Sequence, residues 1–154
     1  MFQHPKRPRN GFSLIEIVVV MTILAVLISL TAPSVVRTME QSHADLAGAS
    51  LRSIAVAQRF FWLENRTYAT DLQTLIDAGL IDDDLQAATG RYQFSVTAAT
   101  ETTFQAQAQR MQRAADGTPQ FDGAWQGVLT IDQTGMIGGT ISHAGDAIDL
   151  APAF

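Results

Sequence analysis

The sequence predicts an α+β fold: a long N-terminal helix, its first half transmembrane, with its second half packed on a small antiparallel β-sheet. Three observations predict it. Residues 12–30 are apolar at every position except Ser13, Glu16, Thr22 and Ser29. From Ser34 to Glu64 there is no proline and one glycine, Gly48, with apolar residues at helical spacing. Beyond Gly90 the apolar period falls to two, the alternation of half-buried strands.

The apolar run is nineteen residues long. As a helix it rises roughly 28 Å at ~1.5 Å per residue, about the thickness of a bilayer core. Lys6, Arg7 and Arg9 precede it, and the positive-inside rule keeps them cytoplasmic, with the C-terminal body outside. A secretory signal fits poorly, because its apolar region is usually about 7–15 residues and ends at a small-residue site. Here the run is longer, and the only passable site is Ala32-Pro33-Ser34. A plain single-pass anchor explains the length and the flanking charge, but not Glu16. A carboxylate in a spanning helix costs about 2.5–3.5 kcal/mol at full depth and less near the interface. Cleavage between Gly11 and Phe12 would create an α-amine one helical turn before Glu16. That amine can pair with Glu16 of its own chain, at i to i+4, or of a neighbouring chain. Between chains, the pair sets axial register.

The basic leader, the motif Gly11-Phe12-Ser13-Leu14-Ile15-Glu16 and the unbroken apolar helix resemble the signature of type IV pilins and pseudopilins. The resemblance implies leader cleavage between Gly11 and Phe12 by the dedicated prepilin peptidase, and N-methylation of Phe12 by the same enzyme. It implies subunit assembly through Phe12 and Glu16, and a helix break at Pro33, where the family commonly carries a helix-weakening proline. The glycine that often accompanies that proline is missing, its place taken by Ala25. A proline at this point also serves as a membrane-exit kink.

The function so implied is that of a prepilin. It would be stored in the inner membrane as a single-pass protein and polymerised through its N-terminal helix into a type IV pilus-like filament at the cell surface or in the periplasm. Such filaments support adhesion, motility or DNA uptake. The implied partners are copies of itself and other pilins in a helical filament, the prepilin peptidase, an inner-membrane assembly platform and membrane lipid. One alternative is a pseudopilin of a type II secretion system. The other, of a different class, is a single-pass anchored periplasmic binding domain using the 110–126 loop. The resemblance divides the chain into a leader (1–11), the transmembrane and assembly half of the helix (12–33) and its amphipathic half (34–64). A connecting segment (65–90) and an antiparallel sheet with a C-terminal tail (91–154) follow.

The chain has 154 residues and no cysteine. That excludes a disulfide framework, a thiolate nucleophile and thiolate metal sites. Many adhesive and motility pilins staple their C-terminal region with a cysteine pair, which is impossible here. After cleavage, seven arginines face fifteen acids, a formal charge of −8. The expectation is therefore no nucleic-acid binding by a general basic surface, since phosphate neutralisation needs clustered cations.

Within the body, Val36, Met39, Ala47, Ile54, Ala57 and Phe61 are predicted to face inward. Arg37, Glu40, Gln41, Asp45, Arg52 and Arg59 fall mostly elsewhere. Phe60-Phe61-Trp62 is read as anchoring helix to sheet, and Asn65-Arg66-Thr67, an N-glycosylation pattern, as the helix-ending loop. Thr70 and Gln73 make a capping box for a short helix with Leu72, Leu75 and Ile76 on one face. Gly79 stands at its C′ position, with Leu80 folding back on Leu75. Strands are predicted at 91–96, 104–109, 127–132 and 136–142, with a turn at Gln133-Thr134-Gly135. Residues 110–126 read as a surface loop in which Trp125 is either an exposed contact residue or a core plug, the latter favoured.

No catalytic constellation emerges, and the expectation is a non-enzyme without cofactor or metal. Asp82-Asp83-Asp84 and the set His143, Asp146 and Asp149 are weak calcium candidates, neither with EF-hand spacing.

Overall fold

Helix-forming residues with no glycine between Gly11 and Gly48 give the chain its first element. A computed structural model describes residues 12–85, 90–145 and 149–153, leaving aside the side chains of residues 30–33. Helix α1 spans Leu14–Asn65 and α2 spans Leu72–Asp77. The strands are β1 (Tyr92–Ala99), β2 (Phe104–Arg110), β3 (Gln112–Arg113), β4 (Pro119–Gln120), β5 (Trp125–Asp132), β6 (Ile137–His143) and β7 (Asp149–Leu150). The chain divides into two units, Met1–Arg37 and Thr38–Phe154, and α1 contributes to both.

In the first unit every side chain from Phe12 to Ser29 is exposed. The two hydroxyls are satisfied locally: Thr22 Oγ1 donates to Val19 O at 2.8 Å, and Ser29 Oγ to Val26 O at 2.8 Å. Hydroxyls tucked onto their own helix leave no donor to desolvate in lipid. The stretch is long and apolar enough to cross a membrane. The helix passes through position 33 without interruption.

In the second unit the buried face of α1 is made by Glu40, Ala44, Ala47, Leu51, Ile54, Ala55 and Gln58. Ala47, Ile54 and Ala57 are buried as predicted, but two neighbours exchange places. Met39 is 54% exposed, and Glu40, expected outside, is 4% exposed. Small residues at 44, 47 and 48 let the sheet approach the helix on this side, and two arginines meet Glu40 there. The aromatic triplet divides too. Phe61 packs on the core, Trp62 Nε1 donates to Glu101 O at 2.7 Å, and Phe60 stays exposed.

The main sheet is antiparallel with order β1-β2-β5-β6-β7, and β3 pairs with β4 as a separate two-stranded ribbon. That ribbon lies inside the segment read from sequence as a loop. Alternation places Tyr92 and Phe94 of β1 and Phe104, Ala106 and Ala108 of β2 in the core, with Leu129, Ile131 and Ile141 beside them. Trp125 is the first residue of β5. It packs against the core and meets His143 edge-on, ring centroids 4.9 Å apart.

Two glycines let β5 and β6 meet. Gly139 has φ +88°, and a Cβ there would stand 2.0 Å from Val128 O. Gly127 has φ +139°, and its Cβ would stand 2.2 Å from Thr140 O. Both are positions where a side chain strains the backbone and strikes the partner strand. Gly139→Ala is expected to cost about 2–3 kcal/mol, measured as a lowered denaturation midpoint with an unchanged m-value.

The cap of α2 differs from the expected box. Asp71, not Thr70, is the N-cap, its Oδ1 accepting from Thr74 N at 2.7 Å. Thr70 donates to Asp71 Oδ2 and Gln73 to Asp77 Oδ1. A carboxylate one residue further on is the stronger acceptor, and hydrogen bonds from the Thr74 backbone and hydroxyl hold its pKa below the usual range. The C-terminal end forms as predicted: Gly79 N donates to Ile76 O (2.8 Å) and Leu80 N to Leu75 O (3.0 Å), a Schellman motif with Gly79 at φ +69°.

Two polar devices tie distant chain to α1. Buried Gln58 imitates a strand, its Nε2 donating to Ala69 O and its Oε1 accepting from Ala69 N, at 2.9 and 2.8 Å. Near the other end of the chain, Gln41 Nε2 donates to Ala151 O at 2.8 Å, and Asp45 Oδ1 accepts from Ala153 N at 3.1 Å. Gly48 makes room between them, since a Cβ there would stand 3.0 Å from Pro152 Cβ.

Candidate functional site

The start of α1 carries the residues on which assembly chemistry would act. Gly11 lies outside the described residues. Phe12 is 79% exposed, and Ile17 N donates to Ser13 O at 3.2 Å, winding the first turn. Glu16 is the acid of that turn, where the positive end of the helix dipole favours it. Its side chain is exposed and has no ion-pair or hydrogen-bond partner among the described residues. Between Glu16 and Arg37 no charged residue occurs. One carboxylate therefore stands at the head of an apolar surface with no counter-charge beside it among the described residues. Pro33 is inside α1, with its side chain outside the described set.

A second concentration of charge lies in the body. Arg110, 5% exposed, approaches the Glu40 carboxylate side-on, Nε to Oε2 and Nη2 to Oε1 both at 3.1 Å. Arg91 Nη1 meets Oε1 at 2.7 Å with its side chain 46% exposed. Arg110 also donates to the carbonyls of Met111 and Arg91. The cluster joins α1 to the start of β1 and the end of β2, and periodicity alone did not reveal it.

Tyr92 lies against this cluster, with the Arg110 guanidinium 5.8 Å from its ring centroid. Its hydroxyl is buried and has no hydrogen-bond partner among the described residues. Burial pushes its pKa up to about 12. Arg110 pulls the other way and Glu40 adds to the rise. A phenol raised in the folded state stabilises fully below its unfolded value of about 10, and that stability is lost as pH climbs towards 12. The melting temperature is expected to fall through this window, and Tyr92→Phe to remove the part of the slope that Tyr92 contributes.

Asp82, Asp83 and Asp84 are exposed, and Asp146 lies outside the described residues. Among the described residues no group of His, Cys, Asp or Glu could hold an ion.

A single apolar helix with one acid in its first turn, continued into a body of helix packed on antiparallel sheet, defines a filament-subunit class. The chain belongs to the type IV pilin family: residues 33–118, over half its length, match the family described as "Type IV minor pilin ComP, DNA uptake sequence receptor". Residues 6–32 match the "Prokaryotic N-terminal methylation motif". Over 70 residues the chain is 36% identical to "Type II secretion system core protein G" of Pseudomonas aeruginosa, covering 46% of this chain and 49% of that protein. Over 98 residues it is 24% identical to "Type IV wide pilus major component PilA4" of Thermus thermophilus, covering 64% and 71%. The match to the secretion protein thus spans about half of that protein's length. These relatives are structural subunits, not enzymes.

Proposed function

We propose that the chain is a prepilin whose activity is polymerisation. The leader is cut between Gly11 and Phe12, the new amine is methylated, and the subunit waits in the inner membrane with its body outside. Assembly then draws α1 out of lipid, with the Phe12 amine of one copy meeting Glu16 of another. Melting near Pro33 during assembly belongs to the same reading, since the missing backbone bond makes that turn the easiest to open. The observation that carries the proposal is Glu16, an exposed carboxylate with no counter-charge among the described residues, in the first turn of a helix whose apolar side chains are exposed through Ser29. A plain anchor gains nothing from it, whereas a filament gains register.

Pilus-like subunit is preferred to secretion pseudopilin because the match to a pilin family covers residues 33–118, beyond the shared N-terminal motif. A task in DNA uptake is favoured by that family's description. It does not rest on a general basic surface here. The mature charge is −8, and Arg59, Arg66, Arg91, Arg110 and Arg113 are each held in an internal contact.

Fractionation of cells with and without prepilin peptidase tests the proposal. With the peptidase, sheared or membrane-extracted filaments should contain the chain. Without it, all of the chain should remain in the membrane. Equal recovery in filaments from both strains would overturn the reading.

A further inference from the structure

The outer face of the main sheet is paved with uncharged polar side chains. Strand register sets them in two adjacent rows across four strands: Gln93, Gln109, Val128 and Thr140 in one, and Ser95, Gln107, Thr130 and Gly138 in the other. These positions alternate with the buried Phe94, Ala106, Ala108, Leu129 and Ile141, so they lie on the face away from the core. A solvated sheet face is ordinarily polar. This one is set apart by having no charge in either row, in a mature chain with seven arginines and fifteen acids. Gln93, Gly138 and Thr140 are exposed, and the other five are partly so. No side chain in the two rows makes a hydrogen bond among the described residues.

We propose that this face binds a neutral polysaccharide. Each glutamine amide carries two donors and an acceptor oxygen, and each hydroxyl both donates and accepts. The matching ligand is one whose groups also do both, which describes the hydroxyls of a neutral sugar chain. A phosphate backbone or an acidic polymer presents acceptors and negative charge, and needs cations that the two rows lack. An apolar partner would strip water from six amide and hydroxyl groups and return no hydrogen bond.

Shape agrees with this chemistry. With strands ~4.8 Å apart and ~3.4 Å per residue, the two rows cover about 14 Å by 7 Å, room for a few sugar rings laid across the strands. Glycine at 138 keeps a neighbouring hydroxyl open, since a Cβ there would stand 3.3 Å from Thr130 Oγ1. Val128, the one apolar side chain in the rows, offers a surface for the C–H face of a ring. The positive-inside rule puts the body outside the cytoplasm, where such polymers are met. A flat site on one copy binds weakly, and many copies held side by side raise the effective affinity.

The test needs no filaments. Full chain extracted from membranes in a non-glycosidic detergent is applied to an array densely displaying neutral oligosaccharides, acidic oligosaccharides and DNA. The expected result is retention on neutral oligosaccharides that persists at raised salt, because no charge takes part. The double variant Gln107→Ala, Gln109→Ala is expected to lower retention at least about tenfold. Gln120→Ala, which changes an exposed glutamine on β4, is expected to bind like wild type. If thermal melting shows the double variant to be unfolded, Thr140→Ala decides, with an expected loss of about threefold or more. The proposal is overturned if no neutral oligosaccharide retains the chain, or if retention is confined to acidic glycans or DNA and is lost at raised salt. It is also overturned if the folded variant binds like wild type. None of these outcomes bears on the filament reading, which filament yield decides separately.

Discussion

Glu16→Ala is expected to leave membrane insertion and leader cleavage intact and to abolish filament incorporation. Removing a carboxylate from the start of the apolar helix lowers the cost of insertion, so membrane levels should equal or exceed wild type. In the filament the same change leaves the Phe12 amine buried without its counter-charge. Breaking a buried pair typically costs about 3–5 kcal/mol, a few hundred-fold or more in an association constant. Glu16→Asp, which keeps the charge and shortens its reach, should recover part of the yield. Fractionation with sheared-filament yield measures both variants. Wild-type yield from Glu16→Ala would mean that the carboxylate is incidental and would favour the plain anchor.

Glu40→Ala is expected to give the largest loss of body stability from a single side chain. It leaves two guanidinium groups without their carboxylate. Arg91 is half exposed and can turn to water, so most of the cost comes from Arg110, which is 5% exposed. An uncompensated buried charge costs about 3–5 kcal/mol. In a domain of this size that corresponds to a fall in melting temperature on the order of 10–20 °C. Replacing Arg110 with methionine in the Glu40→Ala background should recover much of the loss, because the stranded charge is then gone. Thermal melting of a soluble fragment beginning at Ser34 checks the cycle. A single-variant shift of only ~1–2 °C would mean that Glu40 is solvated in the folded body.

Legibility in the sequence followed the range of the interactions. The Gly11-to-Glu16 motif was read from its family resemblance, whereas the nineteen-residue apolar run and the Schellman motif at Gly79 rest on residues near one another in the chain, so spacing revealed them. Strand alternation was readable for the same reason, since neighbouring residues carry it. Glu40 was assigned to the wet face because its burial depends on partners 51 and 70 residues away. Met39 was assigned to the core because apolar spacing does not show which stripe of a helix its sheet covers, and Met39 is 54% exposed. The true core face is rich in alanine, a weak hydrophobic signal, and a large-residue stripe drew the assignment instead. Gln58 and the Gln41–Asp45 clasp likewise gave no local sign, since each bonds backbone across a loop or from far along the chain.

The central claim is that the chain becomes a filament subunit by losing its leader at Gly11, and intact-mass analysis of the protein isolated from membranes tests it most directly. The predicted result is a mature chain beginning at Phe12 with one methyl on its amine. A chain still carrying Lys6 to Gly11 in cells with active peptidase, or one beginning near Val35, would contradict it.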